Sequence, residues 1–219
     1  MKIMQQIFIL GSSSVSGVGS TFGGRAGLVK QKISKLMFEK NGVGEKCEVF
    51  NLGYAGATAE FVRENCLPLL RKYKRGNGKT IVLINIGGNN IKARGKPDGY
   101  VCSPEEYKKE LESLLNNIQK EVDDIIFVSS GYVDEAKTTP KLSPLDGEYS
   151  YFYNDRKILF NNITENLCKE LGIEYIGVDM SPAEWVNKYC YKDGLHSNDK
   201  GHRYLFDKVW EKLKNMIDL

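Results

Sequence analysis

Short apolar runs alternate along this chain with longer stretches of helical period, and that alternation limits the fold more than any other feature. Ile7 to Leu10, Cys47 to Leu52, Thr80 to Ile86, Ile125 to Val128 and Glu174 to Val178 have the length and near-continuous apolar character of strands covered on both faces. Between them, Leu28, Val29, Ile33, Leu36 and Met37 form one apolar stripe, and Tyr107, Leu111, Leu114, Leu115, Ile118 and Val122 form another. Ser103-Pro104-Glu105-Glu106 opens the second stripe with a capping serine, a proline at the first helical position and a glutamate three residues on. A last helix carries Leu205, Val209, Leu213 and Met216 on one face. Strand and helix in alternation predict an α/β fold, a parallel sheet covered by helices. Gly131 to Tyr153 breaks the pattern: it has turn residues, two prolines and several tyrosines but no period. A segment of that length reads either as a lid or substrate wall or as a surface excursion.

The chain has 219 residues, 41% hydrophobic and 27% charged, enough to bury one core without disulfides or metals, so a single domain over residues 1–219 is expected. Lys and Arg exceed Asp and Glu by only three and are scattered along helices, which argues against a nucleic-acid partner. The densest basic run, Arg71-Lys72-Tyr73-Lys74-Arg75, reads as the end of a helix before Gly76-Asn77-Gly78, where cations complement the helix dipole. Cys47, Cys66, Cys102, Cys168 and Cys190 are odd in number and form no C-x-x-C pair, so no structural zinc site is expected. Ile7 to Leu10 is too short for a signal-peptide core, and no other run is long enough to span a membrane. A cytoplasmic protein with reduced thiols follows as the expectation.

In an open parallel sheet the functional crevice lies beyond the carboxyl ends of the strands. Four segments follow strands or lie near the C-terminus there: Gly11-Ser12-Ser13-Ser14, Asn51 to Thr58, Gly87-Gly88-Asn89-Asn90, and Asp193-Gly194-Leu195-His196. A serine hydroxyl attacks a carbonyl only when a base takes its proton, and histidine is the usual base. Of the two histidines, His202 falls at the start of the last helix and reads as a solvated or cap-region residue, whereas His196 sits on the preceding loop, three residues after Asp193. That spacing lets the carboxylate fold back onto the far ring nitrogen and fix the tautomer. The oxyanion needs donors already in place, and the N–H of Gly53, the side-chain amide of Asn89 and the N–H of Ser13 are the candidates.

The four segments, in this order, resemble the SGNH (GDSL-like) hydrolase family, whose pattern runs G-D-S-x, N-x-G-x-S-G-x-T, G-x-N-D and D-x-x-H. The resemblance spans nearly the whole chain. It implies a three-layer α/β/α, flavodoxin-like fold with a five-stranded parallel sheet, with Ser13 as nucleophile, His196 as base, Asp193 as its partner, and Ser13, Gly53 and Asn89 around the oxyanion. The implied activity is hydrolysis of carboxylic esters, of short acyl groups or of carbohydrate or lipid substrates, through an acyl-enzyme and with neither metal nor organic cofactor. Ser12, Ala55 and Asn90 depart from the family's residues at three places. Ser12 and Asn90 keep open a non-catalytic relative that binds carbohydrate or lipid, and the Ser- and Gly-rich Gly11 to Gly24 keeps open a flavodoxin-like phosphate- or nucleotide-binding domain with that loop as an anion cradle. The missing G-x-x-x-x-G-K-[ST] and the absence of an acidic residue after the second strand count against the latter.

Overall fold

Three strands carry the centre of the molecule: β1 (Gln5–Gly11), β2 (Cys47–Gly53) and β3 (Thr80–Asn85), with β1 paired in parallel to both others. The computed structural model describes residues 4–39, 46–76, 78–143 and 146–217. A short strand β4 (Ala93–Arg94) is followed by β5 (Asp124–Val128), by β6 (Lys141–Leu142) and β7 (Tyr149–Tyr151), and by β8 (Glu174–Ile176). The main sheet has five strands in the order β2-β1-β3-β5-β8, every pair parallel. Its register sets Gly11 beside both Gly53 and Asn85, so the carboxyl ends of three strands form one edge.

Helices cover both faces. In chain order they are α1 (Ser13–Ser16), α2 (Gly24–Phe38), α3 (Ala59–Phe61), α4 (Leu67–Tyr73), α5 (Pro104–Gln119), α6 (Glu135–Thr138), α7 (Asn154–Glu170), α8 (Pro182–Tyr189) and α9 (Asp199–Leu213), with one π turn, Val62–Cys66, joining α3 to α4. The period-2 alternation of side chains divides the core. Phe8, Leu10, Val82, Ile84 and Phe127 pack under α4, α5 and α7, through Leu70, Leu111, Leu115 and Phe160. Ile7, Ile9, Ile81, Leu83 and Ile126 pack under α2 and α9, through Val29, Ile33, Leu205 and Val209. Each such side chain withdrawn from water contributes about 1.5–3 kcal/mol before entropy is charged against it.

The predicted elements appear close to their expected bounds. Ser103 accepts from the Glu106 N–H while Glu106 Oε2 accepts from the Ser103 N–H, the capping box that starts α5. The basic run ends α4, where Arg71 pairs with Glu121 at 2.8 Å and Arg75 with Glu48 at 3.0 Å. Asn77, within the turn expected there, lies outside the described residues. The segment from Gly131 to Tyr153 is more ordered than its lack of period suggests. It supplies α6, β6 and β7, and with β4 it builds a second, antiparallel sheet in the order β4-β7-β6, with residues 144–145 outside the description. No helix among the described residues is long and apolar enough to cross a membrane.

Candidate active site

Ser12 starts α1 in extended backbone, and Gly17 ends it in the left-handed region at φ 96°, a single turn that stands Ser13 at the carboxyl edge of the sheet. The loop before α9 crosses the same edge. His196 Nε2 lies 2.9 Å from Ser13 Oγ, and His196 Nδ1 lies 2.6 Å from Asp193 Oδ2. The other carboxylate oxygen, Oδ1, accepts the N–H groups of Leu195 (2.9 Å) and His196 (3.0 Å), so the carboxylate is fixed at both ends. Burial alone would push the Asp193 carboxyl up, but the hydrogen bonds from the His196 ring and the two backbone N–H groups outweigh it and hold it well below the usual carboxylate range. The second sheet's segment secures this loop from outside: Lys141 Nζ donates to the Asp193 carbonyl at 2.7 Å, and the Asp134 N–H to the Gly194 carbonyl at 2.8 Å.

The three expected oxyanion donors fare differently. Ser13 opens α1, and its N–H has no hydrogen-bond partner among the described residues, as befits the first turn of a helix. Asn89 lines the cleft, and one N–H of its side-chain amide donates to the Ala57 carbonyl at 2.9 Å, which orients the amide and leaves its second N–H unused. Gly53 departs from the expectation. Its N–H is donated to Asn51 Oδ1 at 3.0 Å, and the residue is not part of the cleft wall. What requires glycine there is packing: a Cβ would stand 2.4 Å from the Ser16 nitrogen, so β2 and α1 would be forced apart.

A residue that the sequence reading missed lies three positions on. Gly56 is exposed at φ 83°, in a four-residue turn closed by Ala57 N–H to Tyr54 O, and its own N–H has no partner among the described residues. Both flanks of that turn are tied to the site, since the Tyr54 N–H donates to the Gly11 carbonyl and the Ala57 carbonyl holds Asn89. The available signal was the second glycine of the same block.

Asn89→Ala is expected to lower kcat by about 10² to 10³ with little change in KM, because a donor lost from the transition state leaves ground-state binding intact. The lost tie to Ala57 is expected to cost about 1 kcal/mol in a urea titration of the same preparation. Near-normal kcat with a lowered midpoint would leave Asn89 a structural role alone.

Two of the three positions that depart from the family pattern make hydrogen bonds within the fold. Asn90 is buried and accepts the Ala59 N–H at 3.1 Å, which starts α3. Ser12 is buried, and its carbonyl accepts from Val15 and Ser16 within α1.

His202 is neither solvated nor a helix cap. It is fully buried, accepting the Arg25 N–H at Nδ1 (3.3 Å) and donating from Nε2 to the Val18 carbonyl (3.2 Å), so it ties α9 to α2 and to the turn after α1. Burial, reinforced by the Arg25 charge, lowers its pKa to about 4. The unfolded chain therefore binds a proton that the folded chain refuses between about pH 6.5 and 4. Stability is expected to be complete above that window and to fall by about 3 kcal/mol as pH drops through it. Asp193 acts only lower still, below the ordinary carboxylate range. Urea midpoints across pH 7 to 4 check this, and His202→Gln should flatten the slope.

The cleft in front of Ser13 has a volume of about 40 Å³; Asn85, Ser130, Phe152, Lys157 and Trp185 are among the residues that wall it. Val133 and Phe152 come from the segment of unassigned role, which is thus a wall of the site.

Set against known proteins, residues 9–204 match the model of the GDSL-like lipase/acylhydrolase family. The chain belongs to that family. Membership makes it an ester-cleaving hydrolase by class and sets aside the nucleotide-binding reading of the sequence. Among solved structures, a lipase/acylhydrolase from Enterococcus faecalis is similar at 17% identity over 98% of each chain, with a TM-score of 0.68. An esterase from Pseudoalteromonas is similar at 16% identity over 96% of this chain and 97% of that one, TM-score 0.65. A catalytic mutant of an acetylxylan esterase from Geobacillus stearothermophilus is similar at 18% identity over 97% and 96%, TM-score 0.64. At these identities the likeness shows a shared GDSL-hydrolase fold. No curated protein matches the sequence.

Proposed function

We infer that this GDSL-family hydrolase is a serine esterase that removes a short acyl group, acetyl above all, through an acyl-enzyme on Ser13. The observation that carries the reading is the unbroken chain Ser13 Oγ, His196 and Asp193, with links of 2.9 and 2.6 Å. His196 Nε2 takes the Ser13 proton as Oγ bonds to the ester carbonyl carbon, and Asp193 steadies the imidazolium that results. The oxyanion then lies among the Ser13 N–H, the Asn89 amide and the Gly56 N–H, which has no partner among the described residues. Collapse of the tetrahedral intermediate breaks the bond to the alcohol oxygen, which receives the proton from His196. Water repeats the sequence on the acyl-enzyme and releases the acid.

Acyl size follows from the cleft. The cleft at Ser13 is small, about 40 Å³, and is walled by Phe152, Trp185 and Lys157, which favours a short acyl group over a long one. In a series of 4-nitrophenyl esters, kcat/KM is expected to fall at least tenfold from acetyl to butyryl and further to hexanoyl. A rate that rises with chain length would overturn the short-acyl reading, and no turnover of any ester would overturn the enzymatic one. Acetylated sugars belong in the same assay.

A further inference from the structure

The cleft contains a cation that the reaction above does not use. Lys157 stands in the first turn of α7, is only 5% exposed, and walls the same cleft as Ser13 and His196. Three circumstances disfavour a lysine there. It is buried, it sits at the positive end of a helix dipole, and among the described residues no carboxylate pairs with it. Its Nζ donates to Ser130 Oγ at 2.9 Å, its one hydrogen-bond partner among the described residues. An ammonium has three donors, so two remain for whatever fills the cleft. The ionisable group that acts on it is the Cys190 thiol, itself pushed up by burial and so neutral near pH 7. Burial lowers the Lys157 pKa to about 8, which leaves it mostly charged at neutral pH. A buried charge kept without a partner, facing a reaction cleft, is the kind of group that a ligand completes.

Its placement indicates what that ligand presents. Ser130 follows β5, whereas Ser13 and Asn89 follow β1 and β3, so the lysine and its hydroxyl lie one strand beyond the reacting carbonyl. One ammonium and one hydroxyl match the two oxygens of a carboxylate. A phosphate monoester would bring about two charges and three oxygens to a site with a single cation. We propose that Lys157 and Ser130 form a subsite for a carboxylate carried by the ester substrate, a few bonds from the carbonyl that Ser13 attacks. The subsite rests on the esterase reading above. The carboxylate belongs either to the acyl part, as in a half-ester of a dicarboxylic acid, or to the alcohol part, as in an acylated hydroxy acid.

Two pairs of matched esters separate these cases. Monoethyl malonate against ethyl isovalerate sets a carboxylate against an isopropyl group on the acyl side, and O-acetylglycolate against isobutyl acetate does so on the alcohol side. Followed by acid release at pH 7, one pair is expected to favour the anionic ester by at least tenfold in kcat/KM. In Lys157→Met that preference falls at least tenfold, and in Ser130→Ala by a few-fold. Turnover of the neutral esters with no anionic preference in either pair overturns the subsite and leaves the esterase reading intact; no turnover of any of the four overturns the esterase reading itself. The comparison on the unaltered protein decides even if Lys157→Met fails to fold. A preference undiminished in a folded Lys157→Met also overturns the proposal.

Discussion

Ser13→Ala is expected to lower kcat by about 10⁴ or more while leaving the urea midpoint within about 0.5 kcal/mol of the parent. The hydroxyl is the proposed nucleophile, so its loss removes the covalent route entirely, and what survives is the residual action of the oxyanion donors on a water. Little structure depends on it. Ser13 Oγ has its hydrogen bond with His196 Nε2, and the turn that presents it is held by backbone bonds to the Ser12 and Ser13 carbonyls. The measurement is steady-state hydrolysis of 4-nitrophenyl acetate beside a urea titration, with an organophosphonate as covalent probe. Peptide mapping should find the adduct on Ser13. An adduct on Ser12, Ser14, Ser16 or Ser130, or activity preserved in Ser13→Ala, would remove the assignment.

His196→Ala is expected to lower kcat by about 10⁴ to 10⁶ and to slow phosphonate labelling of Ser13 to a similar extent, because the serine then has no base. Asp193→Asn should fall less far, by up to about 10⁴, since it leaves the base in place but presents a donor to Nδ1 and reverses the tautomer. The pair of variants tests the order of the chain. A larger loss at Asp193 than at His196 would mean that the carboxylate, and not the imidazole, meets the serine proton.

Much of this was legible because the deciding signals are local. A strand covered on both faces has to read as an apolar run, and a helix that begins with a capping box has to spell it, as Ser103 to Glu106 does. The Asp193 to His196 spacing likewise closes within one loop, where four residues suffice to return the carboxylate to the ring. What was not legible depends on neighbours distant in sequence. The helix α7 is hard to read from the sequence because Lys157 and Thr164 lie on its buried face and interrupt the apolar stripe. Thr164 is satisfied there by Tyr107 at 2.8 Å, a partner 57 residues away. Gly53 and Gly56 are equally plausible donors in a string of letters. Only the fold shows that Asn51 has taken the first N–H and that the second glycine holds the positive φ of the turn. His202 looked like a surface residue because its two partners, Arg25 and Val18, come from the other end of the chain.

The loop that bears Asp193 and His196 is anchored from two sides that belong to different parts of the architecture. Its far end continues into α9, packed on the main sheet, while its near end is held by Lys141 and Asp134 of the segment that forms the second sheet. The base's loop thus rests mainly on α8 and α9, with a second support from a small peripheral unit. Cooperative units of a protein open at different free energies, and small peripheral ones open first. A molecule in which only the second sheet has come away is expected to retain its core and its serine, while the loop that carries the imidazole loses its ties at the Asp193 and Gly194 carbonyls. Activity is therefore expected to fall ahead of the fold as the molecule is destabilised.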